Sequence, residues 1–138
     1  MLIYVMIGIV LALSLIVFWR PLFESYLKWS EANQRANELL RSVLTSEQYR
    51  QLMRKGYLDI PSPRDPSCIY RVPRAQGLVG VIRQGRHKMS LCLQPLDWVP
   101  DADVVVLHKL MIEADEETYL QTANKIAGIG NSYWDDCV

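Results

Sequence analysis

No lysine or arginine precedes Arg20, the whole chain has only two histidines, and its three cysteines never form a Cys-x-x-Cys pair. Each shortage excludes a class of chemistry. His87 and His108 fall on different expected elements with no Cys, Asp or Glu at ligand spacing, so neither belongs to a metal site and both read as structural. Cys68, Cys92 and Cys137 are an odd number without paired spacing, which argues against a disulfide framework and against zinc; they read as reduced thiols. Cys92, inside an expected strand, reads as a small apolar residue rather than a nucleophile. Gly128-Ile129-Gly130 lacks the third glycine and the preceding strand of a dinucleotide fingerprint, and no P-loop occurs. No cofactor is expected.

What the chain has in abundance is apolar surface at its start. Leu2 to Trp19 is uncharged and, at ~1.5 Å per helical residue, reaches roughly 27 Å, close to the ~30 Å hydrocarbon core of a bilayer. Tyr4 and Trp19 occupy the positions of interfacial aromatics and Arg20 follows as a stop, so the stretch reads as a transmembrane anchor over residues 1–20. A cleaved signal peptide would want a basic start and a nearby small-x-small site. The first such triplet, Ser30-Glu31-Ala32, comes too late. Gly8 and Ala12 form a small-xxx-small pair, which reads as ordinary lipid-facing helix. Arg20, Lys28 and Arg35 all follow the span, which places the C-terminal domain in the cytoplasm and the protein in the cell (inner) membrane as a single-pass chain.

Charge is segregated. Arg20 to Leu93 holds thirteen Lys/Arg against six Asp/Glu, and Gln94 to Val138 holds two against nine. Such asymmetry bears on partners more than on fold. The remaining length suits one compact domain.

Pro21 to Leu44 reads as an amphipathic helix with Pro in its first turn. Tyr26, Trp29, Asn33, Ala36, Leu40 and Val43 recur at spacings of three and four, a seam with one polar a position that suits either packing on the domain or a neighbouring subunit, or a parallel homodimer. The seam is the expected partner-binding surface. At Thr45 a capping box with Gln48 and a staple of Leu44 with Tyr49 open a new helix, closed by Gly56 after Arg54 and Lys55. Three prolines between Pro61 and Pro66 impose an ordered loop.

Cys68 to Val72, Leu78 to Arg83 and Arg86 to Leu93 read as strands, the last two joined at Gln84-Gly85. If Gln84-Gly85 is a two-residue loop, Leu78, Gly80 and Ile82 share one face with His87, Met89 and Leu91, and Val79, Val81, Arg83, Arg86, Lys88 and Ser90 the other; a three-residue loop with altered pairing is the alternative, because Gln-Gly is a weaker turn signal than Asn-Gly. The first face is expected to be core and the second basic. Asp101 to Ala114 reads as a helix, although Val104 to Leu107 would suit a buried strand. Asp115, Glu116 and Glu117 read as the acidic start of a last helix reaching Gly128, with Lys125 in its final turn. Those carboxylates, like Glu113, are explained by the helix dipole without acid/base catalysis. The fold class is therefore α+β: an anchor, an amphipathic helix over 21–44, a domain over 45–127 with a short antiparallel sheet and flanking helices, and a tail over 128–138.

The cations Arg71, Arg74, Arg83, Arg86 and Lys88 could be a solvated face, a contact for anionic lipid headgroups or an acidic partner, or a grip on nucleic acid. Exposed aromatics for base stacking are missing, which disfavours the last. Tyr133 and Trp134, flanked by Asp135 and Asp136, form a second expected partner-binding element. The cadence of Gly56-Tyr57-Leu58-Asp59-Ile60-Pro61-Ser62, Tyr70-Arg71-Val72-Pro73, Leu91-Cys92-Leu93-Gln94-Pro95 and His108-Lys109-Leu110-Met111-Ile112-Glu113 resembles that of uncharacterised bacterial membrane-anchored proteins over about residues 45–125. That resemblance implies no activity. The expected function is a non-catalytic accessory or assembly subunit of a larger membrane complex, partnered by other integral subunits. A membrane-tethered adaptor for a soluble partner and a small enzyme using Cys92 or the acidic run are the alternatives.

Overall fold

The computed structural model describes residues 1–127, without the side chains of residues 2, 3, 5, 9–13, 22 and 127. The chain divides into two compact units, Met1–Arg35 and Ala36–Val138.

A single helix, α1 (Leu2–Val43), replaces the expected anchor and separate amphipathic helix. It runs through Pro21, whose carbonyl accepts from the Ser25 hydroxyl at 2.8 Å. Among the described residues no helix is long and apolar enough to cross a membrane. That finding overturns the span at Leu2 to Trp19, with Tyr4, Trp19 and Arg20 as its anchors, and with it the single-pass placement and the topology drawn from it. The apolar start is not closed off at Arg20 as an element of its own. It continues into a helix bearing Arg20, Glu24, Lys28, Glu31, Arg35, Glu38 and Arg41.

The second unit forms as local chemistry dictates. Helix α2 (Ser46–Lys55) opens on the expected capping box: Gln48 N donates to Thr45 Oγ1 at 3.2 Å, and Thr45 N donates to Gln48 Oε1 at 3.1 Å. It closes on Gly56, whose φ of 76° is the left-handed conformation that glycine adopts without a Cβ clash. Five strands follow as an antiparallel meander: β1 (Tyr57–Pro61), β2 (Cys68–Pro73), β3 (Val79–Arg83), β4 (Arg86–Cys92) and β5 (Asn124–Ala127). Helices α3 (Asp101–Ala114) and α4 (Glu116–Thr122) intervene between β4 and β5.

Register identifies the core face. Leu58 pairs with Val72, Ile60 with Tyr70, Tyr70 with Val81, and Val79 with Leu91; all of these are buried, together with Leu40 and Leu44, Leu52 of α2, Val105 and Ile112 of α3, and Tyr119 of α4. Full burial of one such aliphatic side chain contributes roughly 1.5–3 kcal/mol. The opposite face carries Tyr57, Asp59, Arg71, Gly80, Ile82, His87 and Ser90.

The β3–β4 hairpin turns at Gln84 and Gly85, with φ of 52° and 73°, as a two-residue loop needs. Its faces differ from the expected ones. A bulge between Val81 and Ile82 pairs Val81 with Met89 and Ile82 with His87, leaving Lys88 as the extra residue. Alternation on β4 is thereby reset, so Met89 and Leu91 join Val79 and Val81 in the core while Gly80 and Ile82 face away. Two strands were not foreseen. β1 occupies the stretch between Gly56 and the proline loop, and β5 replaces the second half of the expected last helix, which stops at Thr122. The valine run in α3 is helical, and Val104, Val105 and Val106 are all buried.

Candidate functional site

At the hairpin end of the core face, a cavity of about 420 Å³ lies between the sheet and α4, lined by Asp65, Cys68, Tyr70, Val81, Arg83, Lys88, Met89, Glu116 and Leu120. Its polar end is built on the Glu116 carboxylate. Glu116 is only 8% exposed; the Ser62 hydroxyl donates to its Oε1 at 2.7 Å and the Tyr70 hydroxyl donates to the same oxygen at 2.5 Å. Arg64 N donates to Oε2 at 3.3 Å. Three donors compensate the desolvation of a buried carboxylate.

The proline loop delivers two of these donors, Ser62 and Arg64 N, and β2 delivers Tyr70. Ser62 Oγ also accepts from Arg64 N at 3.2 Å and Asp65 N at 3.0 Å, so one buried hydroxyl folds the loop over itself and ties it to α4. Asp65 accepts from Ser67 N and Ser67 Oγ, at 2.9 and 2.7 Å, and pairs with Arg83 at 2.8 Å. The Ser67 hydrogen bonds, with Arg83 adding to them, hold the Asp65 carboxyl below its ordinary range. Burial, and then the bond to Glu116, pushes the Tyr70 hydroxyl well above its ordinary range. Burial also raises the Cys68 thiol, which keeps it a protonated wall residue rather than a nucleophile.

Behind Tyr70 the aromatic packing continues inward. Tyr119 meets Tyr70 edge-on with ring centroids 6.1 Å apart, and His108 meets Tyr119 edge-on at 5.8 Å. The Tyr119 hydroxyl lies 3.0 Å from His108 Nδ1. Nε2 of His108 is buried without a hydrogen-bond partner among the described residues. Burial lowers the pKa of this ring from the usual 6.5 to about 4. Lys109, also buried, is paired with Glu113.

The expected site residues are dispersed. In the seam, Ala36 and Leu40 are buried and Val43 packs against the core, whereas Tyr26 is exposed and Trp29 and Asn33 are half-buried. Tyr4, Trp19 and Arg20 are exposed on α1. The basic cluster is split between the sheet's two faces. Arg71 grips Asp59 through two bonds of 2.8 and 3.0 Å and lies 4.0 Å over the Tyr57 ring on the face away from the core. Arg83 and Lys88 line the cavity, and Arg86 pairs across the turn from Arg83. Tyr133 and Trp134 lie outside the described residues. Cys92 is disulfide-bonded and Cys68 is a free, buried thiol, which corrects the reading of three reduced cysteines.

Sequence reasoning missed Ser62 and Glu116. A signal for Glu116 was present: it stands three residues before Tyr119, four before Leu120 and seven before Ala123, on the buried stripe of α4. Ser62, among prolines, gave no comparable signal. No family model matches the chain, and no curated protein or solved structure matches it either. Nothing among these comparisons bears on the resemblance drawn from the cadence of residues 45–125.

Proposed function

We propose that this chain is a non-catalytic assembly subunit that docks onto apolar helices of a larger protein complex through α1. The observation that carries this reading is the exposure of large apolar side chains along α1. Trp19, Phe23 and Tyr26 are 68%, 62% and 68% exposed, and with Leu15 they recur at spacings of four, four and three, which is one face of a helix. A continuous stripe of this kind is more than the scattered exposed leucine of any surface and marks an interaction site. The unit from Ala36 onward supports the same reading, because the two carboxylates of the cavity are engaged within the wall: Glu116 with Ser62 and Tyr70, Asp65 with Ser67 and Arg83. Ala36 and Leu40 are spent on their own domain, so the part of the seam open to a partner is the stretch upstream of Ala36.

The test is co-purification of the tagged chain from its native cells. The Trp19→Asp, Phe23→Asp double variant is expected to lose its stoichiometric partners while its circular dichroism keeps the signature of the folded second unit. A variant that retains the same partners would overturn the reading, and so would a wild-type chain that elutes without any.

A further inference from the structure

We propose that the cavity between β2, β3, β4 and α4 is a binding site for a small carboxylic acid with an apolar body. Its carboxylate would sit on the Lys88 ammonium and its body against Val81, Met89 and Leu120. Four charged side chains line the cavity, and three of them already have partners. Asp65 and Arg83 neutralise each other at 2.8 Å, and Glu116 accepts from Ser62, Tyr70 and the Arg64 backbone. Lys88 forms no ion pair with any described residue. The four lining charges sum to zero, but the Glu116 oxygens are taken up by donors of the wall and Arg83 by Asp65, so the charged group left open to a ligand is the Lys88 ammonium; it calls for an anionic group, and a single ammonium suits a monovalent carboxylate.

The backbone points to the same residue. The bulge opposite Val81 and Ile82 inserts Lys88 as the unpaired residue of β4, and Lys88 and Met89 then both line the cavity. Bulges commonly redirect a side chain in this way beside a functional site. The rest of the wall is apolar or held neutral: Val81, Met89, Leu120, the Cys68 thiol raised by burial and the edge of Tyr70. A largely apolar cavity with few convergent polar groups is the ordinary form of a small-molecule site, and about 420 Å³ falls within its usual size range. At roughly 30 Å³ per water-sized group, a space of about 420 Å³ takes about fourteen non-hydrogen groups, room for an acid of up to about twelve carbons.

Octanoate, octanol and octylamine are the probes, titrated separately into the full chain and followed by calorimetry and by the methyl resonances of Val81, Met89 and Leu120. Octanoate is expected to bind at least tenfold more tightly than octanol, to shift those three methyl groups, and to lose at least tenfold in affinity in Lys88→Gln. Lys88 is exposed, so the variant keeps the fold, which its amide spectrum verifies. Lys88→Glu is expected to reverse the order of octanoate and octylamine. The proposal is overturned if wild-type protein prefers octylamine, if Lys88→Gln binds octanoate unchanged, or if octanoate moves none of the three methyl groups up to its solubility limit.

Discussion

Residues 1–35 and the unit from Ala36 onward differ in how they dispose of most of their apolar side chains, although Leu96, Trp98 and Leu110 of the second unit are exposed as well. In the first, Phe18, Trp19, Phe23 and Tyr26 stand exposed along a helix. In the second, Leu52, Leu58, Ile60, Val72, Val79, Leu91, Ile112 and Tyr119 are fully buried between a meander sheet and its helices. Hydrophobic stabilisation follows the area removed from water, so the second unit carries its own folding free energy, whereas the first leaves much of its apolar area at the surface. The polar groups repeat the contrast. Glu116, Ser62 and Tyr70 bond to one another inside the second unit, whereas Glu31 and Arg35 in the first form a 3.8 Å pair in open solvent, worth little.

The sharpest way to break the comparison is to cut into the buried side. Leu58 pairs with Val72 at the centre of the core face, and Leu58→Ala should lower unfolding stability by about 2–5 kcal/mol in urea titration followed by circular dichroism. A loss below about 1 kcal/mol would mean that the sheet is not the seat of folding. Next in size is acid sensitivity at His108. Its folded pKa of about 4 lies below the unfolded 6.5, so the folded state takes up its proton later as pH falls. The stability from keeping this ring neutral is complete above about pH 6.5 and lost progressively down to about pH 4, a change of about 3 kcal/mol. His108→Phe should flatten the stability profile across that window, and an unchanged slope would place the acid sensitivity elsewhere.

Glu116→Leu should cost about 1–3 kcal/mol, because it strips the acceptor from the buried Ser62 and Tyr70 hydroxyls. Hydrogen exchange at Arg64 and Asp65 amides should rise with it, since both depend on Ser62. At the small end, Phe23→Ala should change unfolding stability by no more than about 0.5 kcal/mol, as expected for a side chain that contacts little within the chain. A large loss there would erase the distinction between the two regions.

What could be read in advance divides along the same physical lines. Thr45 with Gln48, Gly56, and the Gln84-Gly85 turn are written locally, in residues whose side chains or φ preferences act within one turn of chain, and the elements they bound came out in place. Strands β2, β3 and β4 and helix α3 were legible from composition and flanking breakers. The bulge at Lys88 was not, because it inserts a residue without altering the pattern of apolar residues, and it moved Val79 and Val81 from the expected basic face into the core. Strand β5 was hidden because Ala123 and Ile126 fit a helical continuation as well as a strand, and pairing with β4 decides between them. Part of the candidate site was legible. Lys88 and Arg83 were singled out as cations. Glu116 was assigned to the helix dipole, although its place on the stripe of Tyr119 and Ala123 marked it as inward-facing. The engagement of Ser62 with Glu116 spans fifty-four positions of sequence, and no local rule reports a contact of that separation.

A docking role for α1 can be read by covalent footprinting of its aromatic residues, comparing the chain inside its native cells with the purified chain alone. Trp19, Phe23 and Tyr26 should be strongly labelled in the isolated protein and protected several-fold in cells, with Tyr70 and Tyr119 equally protected in both. Equal labelling of the three α1 aromatics in both settings would contradict a docking role for that helix.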